Sequence, residues 1–329
     1  MKVHLGLMPA ILLVSAFAAG QNVARWSARA PLLEPGPPGT FDETSVKDPS
    51  IVRQAGKWHL FYTARGRDQY SIGHVSALSL EELQRAGRRQ LTQLRGAGSP
   101  YGAAPQVFYF TPQKRWYLIF QTTDSNYQPV FSNAETLDRP DAWSSPRPLA
   151  DKREKAKWID FWVICDAKLA YLFFTRDHRD LMVMTTRIED FPKGFGEMRA
   201  VFSPLHEAAH VYRVRDEAES YLMIFELATN DRRSQGLATA TSPAGPWKLV
   251  TNEFAAGAQL NFPRHGKAWT NEVSHGEFIR AGFDERLEIR RMNLEFLIQG
   301  MPSSEHKGDY PSLPWRLGLI RLYGGLPLP

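Results

Sequence analysis

The strongest constraint on the fold is a repeated apolar segment that begins with an aromatic residue. Four copies read KWHLFYTA, RWYLIFQT, AYLFFTR and SYLMIFEL, and a weaker fifth reads GEFIRAG. Their aromatic residues, Trp58, Trp116, Tyr171, Tyr221 and Phe278, are separated by 58, 55, 50 and 57 residues. This period is close to one blade of a β-propeller with inserted loops. The sequence therefore predicts an all-β chain folded as a five-bladed β-propeller.

The residues between these segments agree with an all-β chain. Short runs rich in Trp, Tyr, Phe, Val and Ile are separated by Gly, Pro, Asp and Asn, as in proteins made of short strands. The clearest helix signal is SLEELQRAGRRQL, in which Ser79 and Glu82 have the spacing of a capping box. We expect one short helix or turn there, inserted in a loop.

The N-terminus, MKVHLGLMPAILLVSAFAAGQ, combines Lys2, a short apolar run and the small residues Ala16 and Ala18. This pattern is typical of a signal peptide cleaved after Ala18, so we expect a secreted protein that lacks residues 1–18. A membrane anchor is less favoured because the run is short for a spanning helix. Residues 19–40, rich in Pro and Gly, are predicted to form an extended lead-in, and residues 41–329 the propeller domain.

Charge and cysteine content limit the partners that this chain is expected to have. The formal net charge of +5 comes from 40 basic and 35 acidic residues scattered along the chain. No recognised nucleic-acid-binding module accompanies them, so we expect a solvated surface and no nucleic-acid partner. The single cysteine, Cys165, has no intramolecular partner and is expected to be a buried apolar side chain. After signal removal we expect a monomer with no membrane association.

Polar residues that precede the repeated segments indicate a functional centre. Asp48, Gln106, Asp160 and Glu207 lie 10 to 14 residues before their aromatic residues, and His275 lies closer to its own. In a propeller the first strand of each blade lines the central channel, so residues at the start of these strands converge at one face. We therefore expect these five side chains to surround one pocket.

Three carboxylates around one pocket suit glycoside hydrolysis. One acid protonates the leaving oxygen while a second acts as base or nucleophile. A third would hold the substrate and raise the pKa of the acid by like-charge repulsion. Carboxylates carried by different blades are expected to stand apart, and a separation of roughly 6.5–9.5 Å implies inversion at the anomeric carbon. The competing interpretation, that these acids only form turns, is weakened because three of them recur in register.

Two further residues have open interpretations. His275 is either a structural histidine or a ligand of a cation on the axis, with Ca²⁺ suggested by oxygen-rich surroundings. Trp315, in the loop GDYPSLPWR, is either a core residue or an exposed ring that stacks on sugar. Other chemistry is disfavoured, because the sequence contains neither a G-x-S-x-G nucleophile motif nor a Cys/His zinc spacing.

Segments between about residues 41 and 322 resemble glycoside hydrolase family 62. They include KDPSIV, WIDFWVICD, TATSPAGPW, SHGEFIR, LEFLIQG and GDYPSLPWRLGLIRL. Members of that family are secreted α-L-arabinofuranosidases that remove arabinose side chains from arabinoxylan. The resemblance implies a five-bladed propeller similar to that of family 43, an inverting mechanism and a polysaccharide substrate.

The resemblance also implies roles for individual residues. Asp48 of KDPS would be the general base, and Glu207 of LHEAA, which matches the family's LFEA, would be the general acid. Asp160 of WIDFW would tune the pKa of the acid and orient the substrate. Lys47 would contact arabinose. His275 of SHGE would belong to a structural calcium site on the axis.

Departures from the family concern the pocket rim. Gln121 stands in FQTT where the family has YQW, and Trp315 replaces a tyrosine that contacts substrate. Arg232 and Arg233 persist in DRRSQGLATATS, but the family's aromatic residues there do not. We expect Gln121, Trp315 and Arg233 to bind substrate. The alternatives are a family 43-like xylosidase or arabinanase, another furanosidase, or a non-catalytic sugar-binding propeller, which would be expected to lack one of the three carboxylates.

Overall fold

The computed structural model describes residues 24–94, 101–122, 128–151, 154–215, 217, 219–229, 232–264 and 266–326. The predicted signal peptide, residues 1–18, lies outside the described residues. The described chain forms five β-sheets of four or five strands each, together with single-turn 3₁₀ helices. This confirms the predicted all-β, five-bladed β-propeller. Within these ranges, none of the helices has the length and apolar character needed to cross a membrane.

The strands are numbered in chain order. Strand β1 is Trp26–Leu33. Blade 1 contains β2 (Ser45–Gln54), β3 (Lys57–Arg65), β4 (Tyr70–Ala77) and β5 (Arg89–Gln90). Blade 2 contains β6 (Ala103–Phe110), β7 (Arg115–Thr122), β8 (Gln128–Ala134) and β9 (Arg147–Pro148). Blade 3 contains β10 (Trp158–Cys165), β11 (Leu169–Arg176), β12 (Asp180–Arg187) and β13 (Arg199–Phe202).

The last two blades each include strands that are distant in the sequence. Blade 4 contains β14 (Glu207–Val214), β15 (Tyr221–Thr229), β16 (Arg232–Ala240) and β17 (Lys248–Ala255). The remaining strands are β18 (Leu260–Asn261), β19 (Gly276–Phe278), β20 (Glu288–Ile289), β21 (Glu295–Gly300) and β22 (Arg316–Leu322). Strand β20 pairs in parallel with β14, whereas the other four, together with β1, form blade 5.

The repeated aromatic segments are the second strands of blades 1 to 4, namely β3, β7, β11 and β15. Each lies between two other strands of its sheet, and both of its faces pack against neighbouring blades, which explains the continuous apolar run. Cross-strand glycines make room for the largest rings. A Cβ atom on Gly73 would lie 2.4 Å from the Tyr62 ring, and one on Gly236 would lie 2.3 Å from the Phe225 ring.

The fifth repeated segment differs from the other four, because its aromatic residue does not lie in the second strand of its blade. Phe278 lies in the inner strand β19, and the second strand is β21, which carries Phe296. The connection between them includes β20, which pairs with blade 4 rather than blade 5. This connection lengthens the fifth unit, so the inner strand β19, and not the second strand β21, lies at the spacing of the repeat.

The ends of the chain meet in blade 5. Strand β1 pairs antiparallel with β22, from Trp26↔Leu322 to Leu33↔Leu317. The prediction that residues 19–40 form a lead-in outside the propeller is therefore wrong for Trp26–Leu33. Trp26 is fully buried, and its indole N–H donates to the Phe254 carbonyl at 2.9 Å. Burial of this ring and of Leu33 attaches the N-terminal strand to the propeller.

Two local predictions are confirmed. The segment with the capping-box spacing contains one short 3₁₀ helix, Leu83–Arg85, between β4 and β5, and the Ser79 N–H donates to Glu82 Oε2 at 3.1 Å. Cys165 is a buried free thiol at the end of β10.

Candidate active site

The inner strands β2, β6, β10 and β14 share a bulge near their first residues, visible as a shift in their register with the second strands. The residues with positive φ at the four bulges are Asp48 (45°), Ala104 (49°), Asp160 (58°) and Ala208 (52°). Non-glycine residues rarely adopt this conformation, and bulges of this kind redirect side chains. Two of the three predicted catalytic acids thus occupy equivalent positions in blades 1 and 3.

Each bulge is fixed by a side chain from the preceding blade, which accepts a hydrogen bond from the bulge N–H. The pairs are Asp48 N–Gln299 Oε1 (3.0 Å), Ala104 N–Thr63 Oγ1 (2.7 Å), Asp160 N–Gln121 Oε1 (3.0 Å) and Ala208 N–Asp160 Oδ2 (3.1 Å). Buried N–H groups need such partners, and the bonds fix the blades relative to one another around the axis. The positions of the acids therefore depend on contacts between blades.

A pocket of about 450 Å³ opens at this end of the inner strands. Most predicted site residues line it: Lys47, Asp48, Gln121, Asp160, Glu207, Arg233 and His275. Residues that the sequence reasoning missed also line it: Tyr70, Tyr101, Lys157, His178, His206 and Tyr310. The missed residues come mainly from loops and later strands, which carry no repeat signal.

Two predicted residues lie outside the pocket. Gln106 lies two residues after the bulge of β6 and does not line the pocket. Its Nε2 donates to the Val163 carbonyl and its Oε1 accepts from the Val163 N–H, both at 2.7 Å. Trp315 is 1% exposed and packs in the core with Met301 and Leu313, so the prediction that it contacts substrate is wrong. The aromatic residue of that loop that reaches the pocket is Tyr310.

Glu207 is surrounded by three basic side chains. Its Oε2 lies 3.1 Å from His178 Nδ1 and 3.7 Å from His206 Nε2, and its Oε1 lies 3.7 Å from Arg233 Nη1. Burial alone would raise the pKa of Glu207, but the contacts with His178, Arg233 and His206 together lower it below its ordinary value. The carboxylate is therefore ionised in the free pocket.

Asp160 shows the opposite behaviour. Burial raises its pKa well above the ordinary value, and the negative charges of Glu207 and Asp48 raise it further. Its hydrogen bond from Ala208 opposes this change only in part. Asp160 therefore binds a proton more readily than an ordinary aspartate does.

Asp48 lies between a lysine and a histidine. His275 Nδ1 is 3.5 Å from Asp48 Oδ1, and Lys47 precedes Asp48 in the strand. The Lys47 ammonium lies 3.4 Å from the Tyr310 hydroxyl and 4.8 Å from the centre of the Tyr70 ring. Burial would lower the pKa of Lys47, but Tyr310 and Asp48 raise it above its ordinary value. Lys47 is thus a fixed cation beside the candidate base.

Arg233 is held by a carboxylate that the sequence analysis did not consider. Glu226 Oε1 lies 2.7 Å from Arg233 Nη1, and the Ser274 hydroxyl donates to Glu226 Oε2 at 2.6 Å. Glu226 is fully buried, and burial raises its pKa to about 8. It pairs in register with Glu207 across β14 and β15, so the repeat carried a signal for it.

The donors around His275 provide a partial shell for calcium. Ca²⁺ takes six to eight oxygen ligands. Beside His275 the Asp48 carboxylate offers an oxygen, whereas the amide oxygen of Gln299, whose backbone N–H donates to the His275 carbonyl, already accepts the Asp48 N–H. A calcium ion held by His275 would take most of its ligands from water.

Comparisons with known proteins agree with this geometry. The model of Glycosyl hydrolase family 62 matches residues 25–321. The curated protein Alpha-L-arabinofuranosidase C from Cellvibrio japonicus is 33% identical over 312 residues, which cover 91% of this chain and 47% of that protein. The chain thus spans about half the length of this curated relative.

Solved structures show the same similarity. The catalytic domain of the Coprinopsis cinerea GH62 α-L-arabinofuranosidase matches with a TM-score of 0.83 and 36% identity, covering 91% of this chain and 97% of that one. A GH62 hydrolase crystallised with xylotriose matches with a TM-score of 0.81 and 30% identity, covering 90% and 97%. Because the family model spans nearly all of the described residues, this chain belongs to glycosyl hydrolase family 62.

Proposed function

We propose that this chain hydrolyses terminal α-L-arabinofuranosyl groups from a polysaccharide with inversion at the anomeric carbon. The observation that carries the proposal is the convergence of Asp48, Asp160 and Glu207, from blades 1, 3 and 4, on one pocket. The relatives named as α-L-arabinofuranosidases support the choice of sugar.

Asp48 is the proposed general base. Its backbone is fixed by Gln299, Lys47 precedes it in the strand, and His275 Nδ1 lies 3.5 Å from its Oδ1. In an inverting reaction the base removes a proton from the water that attacks the anomeric carbon. The bond to the leaving oxygen breaks as the new carbon–oxygen bond forms, so that no covalent intermediate is needed.

Glu207 is the proposed general acid, on the other side of the sugar. A general acid must carry a proton when it meets the leaving oxygen, yet His178, His206 and Arg233 keep Glu207 ionised in the free pocket. The role therefore requires the bound sugar to displace one of these contacts. Asp160, whose pKa burial raises well above its ordinary value, is the proposed source of that proton and also orients the substrate.

The proposed natural substrate is arabinoxylan. A pocket of about 450 Å³ suits a terminal sugar, and the described wall includes Lys47, Gln121, Arg233 and Tyr310 as donors or ring contacts. Binding of xylotriose by a family member supports a xylan main chain outside the pocket. A secreted location, predicted from the N-terminal segment, suits a polymeric substrate.

The deciding experiment offers the enzyme arabinoxylan, arabinan, arabinogalactan and aryl α-L-arabinofuranosides and identifies the sugars released. Arabinose from arabinoxylan, first formed as the inverted anomer by NMR, is the expected result. Xylose, or internal cleavage of arabinan, would favour the family 43-like alternative. Arabinose binding without hydrolysis of any arabinoside would favour a sugar-binding propeller.

We also propose that the axis holds a structural calcium ion through His275 and water. Removal by EDTA should then lower the melting temperature, and added calcium should restore it. The same treatment of His275→Ala should leave the melting temperature unchanged, because the only proposed imidazole ligand is absent.

A further inference from the structure

A second group of potential metal ligands lies on the acid side of the pocket. His178, His206 and Glu207 each offer one ligand atom, and these atoms lie within 4.8 Å of one another. Their side chains are 32%, 25% and 14% exposed, so an ion can reach them from the pocket. The group is separate from the proposed calcium ligand His275.

The distances suit a small tetrahedral ion. Zn²⁺ binds imidazole nitrogen and carboxylate oxygen at about 2.0–2.2 Å, which separates its ligand atoms by roughly 3.4 Å. Glu207 Oε2 lies 3.1 Å from His178 Nδ1 and 3.7 Å from His206 Nε2. The two imidazole rings stack with centres 4.9 Å apart and planes at 20°. One ring must turn about its side-chain bonds for both nitrogens to face the same ion.

The ligand set selects the class of metal. Two imidazoles and one carboxylate favour zinc, cobalt, nickel or copper over calcium and magnesium, which take mainly oxygen ligands. A site with three protein ligands leaves a fourth position for water, as in catalytic zinc sites. Arg233 Nη1, which lies 3.7 Å from Glu207 Oε1, also contacts Glu226 Oε1 at 2.7 Å.

Lys157 is the feature that opposes metal binding. Its ammonium lies 2.7 Å from His178 Nε2, and an ammonium donates to that nitrogen. The proton of a neutral His178 then resides on Nδ1, the atom that would bind the ion. Metal binding must shift this proton to Nε2 and displace Lys157, so Lys157 is expected to weaken the site.

We propose that His178, His206 and Glu207 form a binding site for a divalent transition-metal ion of the zinc type. The ion occupies Glu207 and excludes the glycosidic oxygen from it. Zinc is therefore expected to inhibit hydrolysis. This expected inhibition rests on the proposed role of Glu207 as the acid, whereas the binding of the ion does not.

Binding is tested without substrate, by titrating the full chain with CoCl₂ and recording the absorption of tetrahedral Co²⁺, with ZnCl₂ as competitor. We expect one Co²⁺ per chain, displaced by Zn²⁺. Loss of a residue that hydrogen-bonds a metal ligand typically lowers metal affinity by about 10- to 100-fold. His206→Phe removes a ligand itself, so it should weaken Co²⁺ binding by at least that factor. His178→Asn serves as a second variant, because His178 has a φ of 51° and asparagine tolerates that conformation.

The exposed His306 provides the control, since His306→Phe removes a histidine far along the sequence from this group. Equal Co²⁺ affinity in the wild type, His206→Phe and His178→Asn would overturn the proposal. Lys157→Met should bind Co²⁺ more tightly than the wild type, and equal or weaker binding would contradict ligation through His178 Nδ1. Circular dichroism spectra show whether each variant is folded.

Inhibition is measured separately on an aryl arabinofuranoside and on arabinoxylan. If Co²⁺ binds as expected and zinc inhibits the wild type but not His206→Phe, both the site and the role of Glu207 are supported. If Co²⁺ binds but zinc leaves turnover unchanged on arabinoxylan, the metal site stands and the role of Glu207 as the acid fails.

Discussion

The backbone N–H of Ala208 donates a hydrogen bond to Asp160 Oδ2 at 3.1 Å, joining the bulge of blade 4 to that of blade 3. Ala208 follows Glu207 directly, so the carboxylate of Asp160 fixes the backbone next to Glu207. Asp160 therefore has two effects, one on the position of Glu207 and one on the protons of the pocket.

These effects can be separated with two substitutions. Asp160→Asn keeps an oxygen for the Ala208 N–H and a residue type that tolerates a φ of 58°, so stability should change little. Asp160→Ala leaves that N–H without its partner and should cost about 1–3 kcal/mol in the free energy of unfolding. Both variants should lose activity on polymer. Urea unfolding measures the difference, and equal stability of the two variants would contradict the positional role.

The repeat pattern shows how much of this molecule its sequence predicts. The aromatic residues of the second strands in blades 1 to 4 recur every 50 to 58 residues. The inner strand before each of them begins near one axis, and this located Asp48, Asp160 and Glu207. Strand β1 was missed because its partner, β22, lies almost 300 residues away and no local pattern connects them. Its alternation of buried Trp26 and Ala28 with a half-buried serine was the available signal.

Loop residues were the least predictable part of the site. Whether Trp315 or Tyr310 faces the pocket depends on the path of one proline-containing loop, and either ring suits sugar by type. His178 enters from a hairpin turn between β11 and β12, where its type is compatible with a turn alone. Sequence reasoning finds residues that a repeat places, whereas loop residues are placed by tertiary packing.

The assignment of acid and base predicts different losses for different leaving groups. Glu207→Gln should lose about 10²- to 10⁴-fold in kcat on arabinoxylan, the usual contribution of proton transfer. It should lose far less on a nitrophenyl arabinofuranoside, whose leaving group departs without a proton. Asp48→Asn should lose activity on both substrates, because water must be activated in either case.

Asp160→Asn is the comparison that identifies the acid. Asp160 is the acid if Asp160→Asn keeps most of its activity on the nitrophenyl substrate and Glu207→Gln does not. The raised pKa of Asp160, caused first by its burial, is compatible with that role. Steady-state kinetics on both substrates decide between the two carboxyl groups.

The two aromatic residues of the last loop should respond differently to truncation. Tyr310→Ala should raise KM for arabinoside with little loss of stability, because the ring lines the pocket and is 39% exposed. Trp315→Ala should lower the free energy of unfolding by about 3–5 kcal/mol, the usual cost of removing a large buried ring. Kinetics and urea unfolding of both variants measure this. A normal melting curve for Trp315→Ala would contradict its burial.

A buried histidine pair in blade 1 predicts acid sensitivity. His59 Nδ1 lies 3.3 Å from His74 Nε2, and both side chains are at most 4% exposed. Burial lowers the pKa of His59 to about 4 and that of His74 to about 3. Lys57 and Arg89 reinforce these shifts, whereas Asp138 opposes them.

Because both pKa values are lowered in the folded state, the unfolded chain takes up protons first as the pH falls below about 6.5. The free energy of unfolding should therefore decrease between pH 6.5 and 4, by at most about 1.4 kcal/mol per pH unit for each histidine. His74→Phe should be less stable at pH 7, since His59 loses its partner, but should show a shallower pH slope. Urea unfolding at pH 7, 6 and 5 measures the slopes, with the exposed His306→Phe as control. Equal slopes in the wild type and His74→Phe would show that this pair does not determine the acid sensitivity.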